Sequence, residues 1–388
     1  MTTPYLITYR DVIDHLNHYV RGGAQDAEQT DLREAIQFAY RDFALGREWR
    51  YFLSEYRAQL EAAYTTGTVA YDHTGGAYER QLTLTGGSWP DWAAYGRVIL
   101  GGIVYDVEQR QSYSVLTLTA ANNPGADVAS GATYTLYRSH YTLPSDFRSL
   151  TRPLAEQNDA YLRYVDPADW QYLEHVAPNT ASSPIYWTLV GDPNFVGSMA
   201  IAVQPYLTTA QGIRFTYQRD PRPLRYSGYA ASEYAGTISA SLASTTVTGS
   251  GTAFTTGMIG SVLRLTSSGD YPSGLNGLNP FDEQKIITAV ASATSLTIDT
   301  PTTAAYSAKK YVISDYIDLF PGYINCFYDL AAYRLAQLRN RSDLVLRREL
   351  YKASRLRAQA ADAMLLRPVD GGARSTGEWS APLGDDVA

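Results

Sequence analysis

Ser244 to Leu265 reads STTVTGSGTAFTTGMIGSVLRL, two runs of alternating Thr, Val and Leu joined by a Gly-rich stretch, and a fainter copy, QLTLTGGSWPDWAAYGRVIL, spans Gln81 to Leu100. Alternation with period two marks β-strands. The likeness extends outward on both sides. GTV from Gly67 matches GTI from Gly236, TLTG from Thr83 matches TVTG from Thr246, YGRVIL from Tyr95 matches IGSVLR from Ile259, and VLTL from Val115 matches SLTI from Ser295. Each copy closes alike, on ATYTLYRSHYTLP ending at Pro144 and on KKYVISDYIDLFP ending at Pro321. The offsets run from 163 to 180, a spread explained by the Gly/Ser/Asn-rich stretch from Thr266 to Asn279. Four matches in one order predict two small all-β modules, barrels or sandwiches, each inserted into a host fold. Chance similarity between Thr-rich strands is the alternative.

Helical patterns lie at both ends. Thr8 to Asp11 is a capping box with Asp in place of Glu, followed by Val12, Leu16 and Tyr19 on one face, with Gly22 and Gly23 ending the helix. Leu32, Ile36, Ala39, Tyr40 and Phe43 repeat near 3.6 residues, and Asp31 and Glu34 suit the N-terminal dipole of that second helix. Tyr51 to Tyr64 fits further helix or a first strand, with the strand favoured near Leu60. At the other end Pro321 opens a helix striped by Ile324, Phe327, Ala331, Leu335 and Leu338. Ser342 can cap the next one, whose apolar seam is Leu346, Leu350, Ala353, Leu356, Ala360 and Met364 until Pro368. Short helices at opposite ends gain stability by packing as one bundle. Between the modules, Asp166-Pro167 starts a helix, and strands begin near Ile185, Ser198 and Ile213, giving a small antiparallel sheet.

The expected fold is therefore α+β and multidomain: terminal helices forming a helical bundle, a small central antiparallel sheet, and two inserted all-β modules. The divisions are N-terminal helices 1–60, first β-module 61–142, central unit 143–234, second β-module 235–320, C-terminal helices 321–367 and an extension 368–388. The 388 residues suffice for two or three cores. Apolar residues at 45% against 18% charged fit a folded chain with broad interfaces. Tyr is abundant, at 32, and suits surfaces that are wet before assembly and dry after it, or fills β-structure. One cysteine, Cys326, excludes an internal disulfide framework and a Cys-based zinc site. With no apolar run of 18 residues and no basic-then-apolar leader, the expectation is a soluble protein of a reducing cytoplasm.

The net charge of −7 argues against a surface that grips nucleic acid throughout. The charge is uneven. From Arg334 to Arg367 there are nine Arg or Lys against three Asp or Glu. A basic helical end including Arg347, Arg348, Arg355 and Arg357 reads as a docking face for an acidic neighbour or a polyanion, or as a solvated face.

No catalytic constellation converges in the sequence. GXSXG is absent, and Gly249-Ser250-Gly251 lacks the strand-to-helix context of a phosphate loop and reads as a hairpin turn. His15 and His18, with Asp11 and Asp14 a turn back, lack a third strong metal ligand. Asp91 with Glu108, or Asp270, Asp282 and Glu283, are carboxylates that could serve glycan hydrolysis only if they met in space. Trp89, Trp92 and Tyr95 could stack on a sugar or base, or fill a core or interface. Cys326, beside Phe327, reads as a buried filler. The final stretch VDGGARSTGEWSAPLGDDVA carries Arg374, Trp379, Pro382 and Leu383 without periodicity, the pattern of a segment that buries its aromatic in a partner or stays disordered.

Paired terminal helices, YTLPSDFRSL from Tyr141, then PIYWTLVGD, AIAVQP and RFTYQRDPRPL, and β-modules of the TVTGSGTAF type together resemble the head-to-tail adaptor proteins of tailed bacteriophages, a group that includes the tail tubular A proteins of short-tailed phages. The resemblance spans nearly the whole chain, and LPSDF and TVTGSGTAF are its most specific parts. It implies a structural virion protein without enzyme activity, cofactor or metal, assembled in the host cytoplasm and resident in the virion neck. It implies a ring, usually of twelve copies, between portal and a tail or nozzle protein, through which DNA passes without sequence-specific binding. In such rings helices form the wall, and the C-terminal extension, here residues 369–388, reaches the portal. A receptor-binding or glycan-binding tail component is the alternative.

Overall fold

The structure, a computed structural model, describes residues 5–20, 26–74, 79–151, 162–176, 180–181 and 183–365. The architecture is mixed α+β, with several antiparallel sheets, two of them curled in the manner of half-barrels. The chain divides into two compact units, one from Phe52 to Arg222, the other from the segments on either side of it, up to Tyr51 and from Pro223 onward. The helices are α1 (Tyr9–Val20), α2 (Asp26–Leu45), α3 (Pro167–Val176), α4 (Ala231–Tyr234), α5 (Ile324–Leu338) and α6 (Leu344–Met364).

In the Phe52–Arg222 unit the first strands are β1 (Leu53–Leu60), β2 (Thr68–Asp72), β3 (Gln81–Thr85), β4 (Arg97–Leu100), β5 (Ile103–Arg110), β6 (Val115–Leu118), β7 (Val128–Ala132) and β8 (Tyr134–Tyr137). They are followed by β9 (His140–Thr142), β10 (Phe147–Leu150), β11 (Arg163–Tyr164), β12 (Thr180–Ala181), β13 (Tyr186–Gly191), β14 (Met199–Gln204), β15 (Tyr206–Leu207) and β16 (Gln211–Arg219). The three central strands expected in one sheet are real but divide between two. β13 and β14 sit in a four-stranded sheet, β11-β13-β14-β9, in which β11 runs parallel to β13, whereas β16 is the middle of β1-β16-β10. The reason is β1: its eight residues pair along β16 from Leu53↔Gln218 to Leu60↔Gln211, so β16 finds both neighbours elsewhere. α3 begins as its sequence indicates, with Asp166 Oδ1 accepting the amide of Ala168 at 2.9 Å.

In the other unit α1 opens with the anticipated reciprocal cap. The Thr8 amide donates to Asp11 Oδ2 at 2.8 Å, and the Asp11 amide to Thr8 Oγ1 at 3.4 Å. The proposed ends at Gly22 and Gly23 lie outside the described residues. α2 starts five residues ahead of Asp31 and buries Leu32, Ile36, Ala39, Tyr40 and Phe43, the stripe its period indicates. α5 lies between α2 and α6 and buries Ile324, Phe327, Ala331 and Leu335 of its stripe; Leu338 stays exposed. Phe43, Trp49 and Tyr323 close one end of this layer, Phe43 and Trp49 stacked at 4.6 Å and Trp49 Nε1 donating to Phe43 O at 2.8 Å.

The same unit holds seven more strands: β17 (Thr237–Ala240), β18 (Thr246–Ser250), β19 (Val262–Leu265), β20 (Glu283–Ser292), β21 (Ser295–Ile298), β22 (Tyr306–Lys309) and β23 (Tyr311–Ser314). Their order, β22-β17-β18-β21-β20-β19-β23, reproduces strand for strand the order β7-β2-β3-β6-β5-β4-β8 of the first module. β5 and β20 turn the corner in each, pairing with β4 or β19 through their first halves and with β6 or β21 through their second. Three further identities hold. Tyr134 Oη donates to Thr66 O and Tyr311 Oη to Ala235 O, both at 2.7 Å. Trp89 meets Tyr134 edge to face, as Phe254 meets Tyr311. The Trp89 amide donates to Tyr113 O, as that of Phe254 does to Ala293 O.

These pairs fix the correspondence at 165 residues from Gln81–Leu100 to Thr246–Leu265. The sequence matches of TLTG and YGRVIL are thereby corrected, by two residues and by one. A slip of one would place Val98 opposite the wrong face, whereas Val98 and Leu263 both point into their cores. Gly249-Ser250-Gly251 is no hairpin turn. β18 and β19 are not neighbours, and Gly251 ends β18 at φ +67° against Gly236.

Gly236 and its counterpart Gly67 sit at φ +85° and +83°, and a Cβ there would meet Ser250 O at 2.4 Å and Thr85 O at 2.3 Å. Gly101 has φ +61° and open space around it. Gly67→Ala and Gly236→Ala should each lower stability by roughly 3 kcal/mol and Gly101→Ala by about 1 kcal/mol in denaturant titration. Equal small losses at all three would contradict the close approach.

Candidate functional site

α6 is held at both ends, and those restraints decide what it shows to solvent. At its C-terminal end Asp362 is fully buried. Its Oδ1 accepts the Tyr323 hydroxyl at 2.5 Å and the Arg50 amide at 2.9 Å, and Oδ2 lies 3.7 Å from Arg47. Burial, with the Asp362 carboxylate alongside, pushes the Tyr323 hydroxyl above the usual tyrosine range. The Arg50 guanidinium donates to the Asp362 and Ala363 carbonyls, satisfying helix-end acceptors. At the N-terminal end the cap residue is Asp343 rather than Ser342, and its carboxylate faces α1. Tyr19 Oη donates to Asp343 Oδ2 at 2.6 Å, with Arg341 and Arg347 at 3.2 and 3.3 Å. The Tyr19 hydrogen bond, with those of the two arginines, holds the Asp343 carboxyl below the usual carboxylate range. Both guanidiniums also lie over the Tyr19 ring.

With its ends so fixed, α6 turns Ser354, Ala358 and Asp362 inward and packs on α5. The seam expected to be buried faces solvent instead. Leu346, Leu350, Ala353, Leu356, Ala360 and Met364 are all exposed, with Val345 beside them, and Leu356 retains 68% of its accessible surface. Near the C-terminal end of α6 the packing is tight, since a Cβ at Gly322 would stand 3.2 Å from that of Ala361. Covering the exposed halves of such side chains is worth on the order of 5 kcal/mol before association costs. An apolar patch of this kind rimmed by charge marks an interaction surface.

The four arginines singled out from the sequence do not act alike. Arg347 is committed to Asp343 and Tyr19. Arg348, Arg355 and Arg357 are exposed and make no ion pair among the described residues. Arg348, Lys352 and Arg355, spaced by four and three, follow one edge of the apolar stripe. Arg374, Trp379, Pro382 and Leu383 lie outside the described residues.

The candidates for chemistry are dispersed or engaged. Asp91 pairs with Arg110 and Glu108 with Arg80. Glu283 accepts bonds from Thr303, Lys285 and Tyr306, which hold its carboxyl below the usual range against the opposing effect of burial. It lines a hollow of about 480 Å³ with Tyr5 and Phe281, where Lys285 is itself occupied by Thr300 and Pro301. Trp89 is 1% exposed in the first module's core, leaving no face for a sugar, and Trp92 packs against that core. His15 stacks on Tyr328. Among the described residues no three His, Cys, Asp or Glu side chains gather as a metal-binding group. Cys326 is buried, which pushes its thiol up to about 11. No protein-family model, curated protein or solved structure matches the chain.

Asp362→Ala should destabilise the protein by about 3 kcal/mol in denaturant titration, because Tyr323 and Arg50 lose a buried acceptor. A near-neutral change would mean that the orientation of α6 is set elsewhere.

Proposed function

We propose that the chain is a structural, ring-forming head-to-tail adaptor of a tailed bacteriophage, residing in the virion neck between portal and tail or nozzle protein. The observation that carries this reading is the outward face of α6, a long apolar stripe with a basic edge that is exposed among the described residues. In this reading the terminal helices form a bundle that makes the ring wall, and the molecule works as several domains. The two β-modules extend outward or toward the tail, and residues 369–388, with Arg374, Trp379, Pro382 and Leu383, engage the portal. The acidic balance of the chain supports passage of DNA without sticking, since like charge keeps phosphates from binding. The role asks for no catalytic residue, cofactor or metal. A receptor- or glycan-binding tail component is less well supported, because Trp89, its leading stacking residue, is in a core.

Light scattering and negative-stain electron microscopy of the purified chain test the proposal. Annular particles that bind a portal complex are expected, with twelve copies the anticipated number. A monomer at every concentration, without portal affinity, would overturn it.

A further inference from the structure

We infer that the outward face of α6 docks on the outward face of α2 and the end of α5 in a second copy of this chain, joining copies head to tail. The inference rests on the ring-forming reading and adds to it the two surfaces that meet.

Three observations carry it. First, α5 packs on both α2 and α6, which leaves one flank of the helical layer on the outer side of α6 and another along the outer groove between α2 and α5. Each flank bears exposed apolar groups. On α6 these are Leu346, Leu350, Leu356 and Met364; on α2 they are Phe38 and Leu45, seven residues apart, with Leu338 of α5 beside Phe38. Phe38 and Leu338, with Asp42, Arg334 and Gln337, line a hollow of about 280 Å³ that could receive a leucine or methionine side chain.

Second, the charges are complementary. α6 has five basic and two acidic residues, one of the acids being the buried Asp362, whereas α2 has five acidic and two basic residues. On the α2 flank Glu34 and Asp42 stand one turn from Phe38 on either side, the same four-residue step that separates Arg348 from Lys352 on the edge of the α6 stripe. Asp42 already holds Arg334, and a carboxylate has room for a second donor.

Third, charge argues against the other self-contact. Two α6 faces packed about a two-fold axis would set Arg348, Lys352, Arg355 and Arg357 against their own copies, with only Glu349 outward to offset them. A contact between unlike flanks removes that repulsion and leaves each copy with a free flank of each kind, the condition for a ring.

The test is a charge exchange in the full chain, read by native mass spectrometry and light scattering over a range of protein concentrations, with circular dichroism verifying that each variant is folded. One variant carries Arg348→Glu and Arg355→Glu, a second Glu34→Arg and Asp42→Arg, a third all four. Each two-site variant should need at least tenfold more protein than wild type to assemble. The four-site variant should return to within about threefold of wild type, because the exchanged charges face each other again. Assembly by wild type with no loss in either two-site variant overturns the pairing, leaves the ring reading standing, and assigns the α6 face to the chain's own residues 366–388 or to another protein. A loss on α6 reversal without rescue in the four-site variant overturns the pairing with α2. Stronger assembly on α6 reversal alone, with α2 reversal silent, points to two-fold pairing of α6 and also overturns it. Wild type that never assembles overturns both the pairing and the ring reading.

Discussion

The buried carboxylate of Asp362 sets the rotation of α6, and the character of the molecule's surface follows from it. Hydrophobicity alone would turn the helix so that Leu346, Leu350 and Met364 faced α5. That rotation would carry Asp362 away from Tyr323 and Arg50 and leave the buried Tyr323 hydroxyl and the half-buried Arg50 amide without their acceptor, at about 1 to 3 kcal/mol each. It would also drive larger side chains into the close approach between Gly322 and Ala361. Tyr19 and Asp343 fix the other end with the same rotation. The helix therefore turns Ser354, Ala358 and Asp362 inward and leaves Leu346, Leu350, Leu356 and Met364 exposed, the surface that the proposed contact between copies would cover.

The two β-modules share a framework and differ in attachment. In both, a tyrosine hydroxyl holds the carbonyl preceding a left-handed glycine, and an aromatic side chain meets that tyrosine edge to face. At the position where the first module has Ile99 the second has Arg264, 1% exposed, whose guanidinium donates to both oxygens of Asp11 at 2.7 and 2.5 Å. Asp315, also buried, accepts the amides of Arg225 and Tyr226 and the hydroxyl of Ser261. Charge placed inside the repeat thus ties the second module to α1 through a bidentate pair, although Arg264 Nε is left without a partner. The abundant tyrosine serves interior and surface alike: Tyr71, Tyr134, Tyr306 and Tyr311 are module core, whereas Tyr113 and Tyr172 are exposed.

Local patterns in the sequence reveal what neighbouring residues decide. The cap at Thr8, the stripe of α2 and the start of α3 depend on spacing within a few turns and are found where the spacing puts them, and the duplicated strands are present in the same order. What escaped was decided by partners far along the chain. β16 left the expected sheet because β1, some 150 residues earlier, pairs along its whole length. The repeat was visible, but its register needed the buried faces of Val98 and Leu263. The α6 stripe had the right period and the wrong side. Its amphipathic pattern identifies an apolar face without saying whether that face meets its own chain or another, and the acid at 362, legible as an isolated charge in a late apolar turn, was the clue. Of the four arginines, period alone could not separate Arg347, bound to Tyr19, from Arg348 and Arg355, which point to solvent.

Methionine oxidation offers the most direct view of whether the outward α6 face is covered on assembly. Met364 is exposed on that face, and Met258, buried in the second module, is an internal reference. Peroxide oxidation followed by peptide mass spectrometry would compare dissociated and assembled protein from one preparation. Met364 should oxidise readily in the dissociated chain and slow severalfold in the assembly, with Met258 protected in both. Equal oxidation of Met364 in the two states would contradict the account.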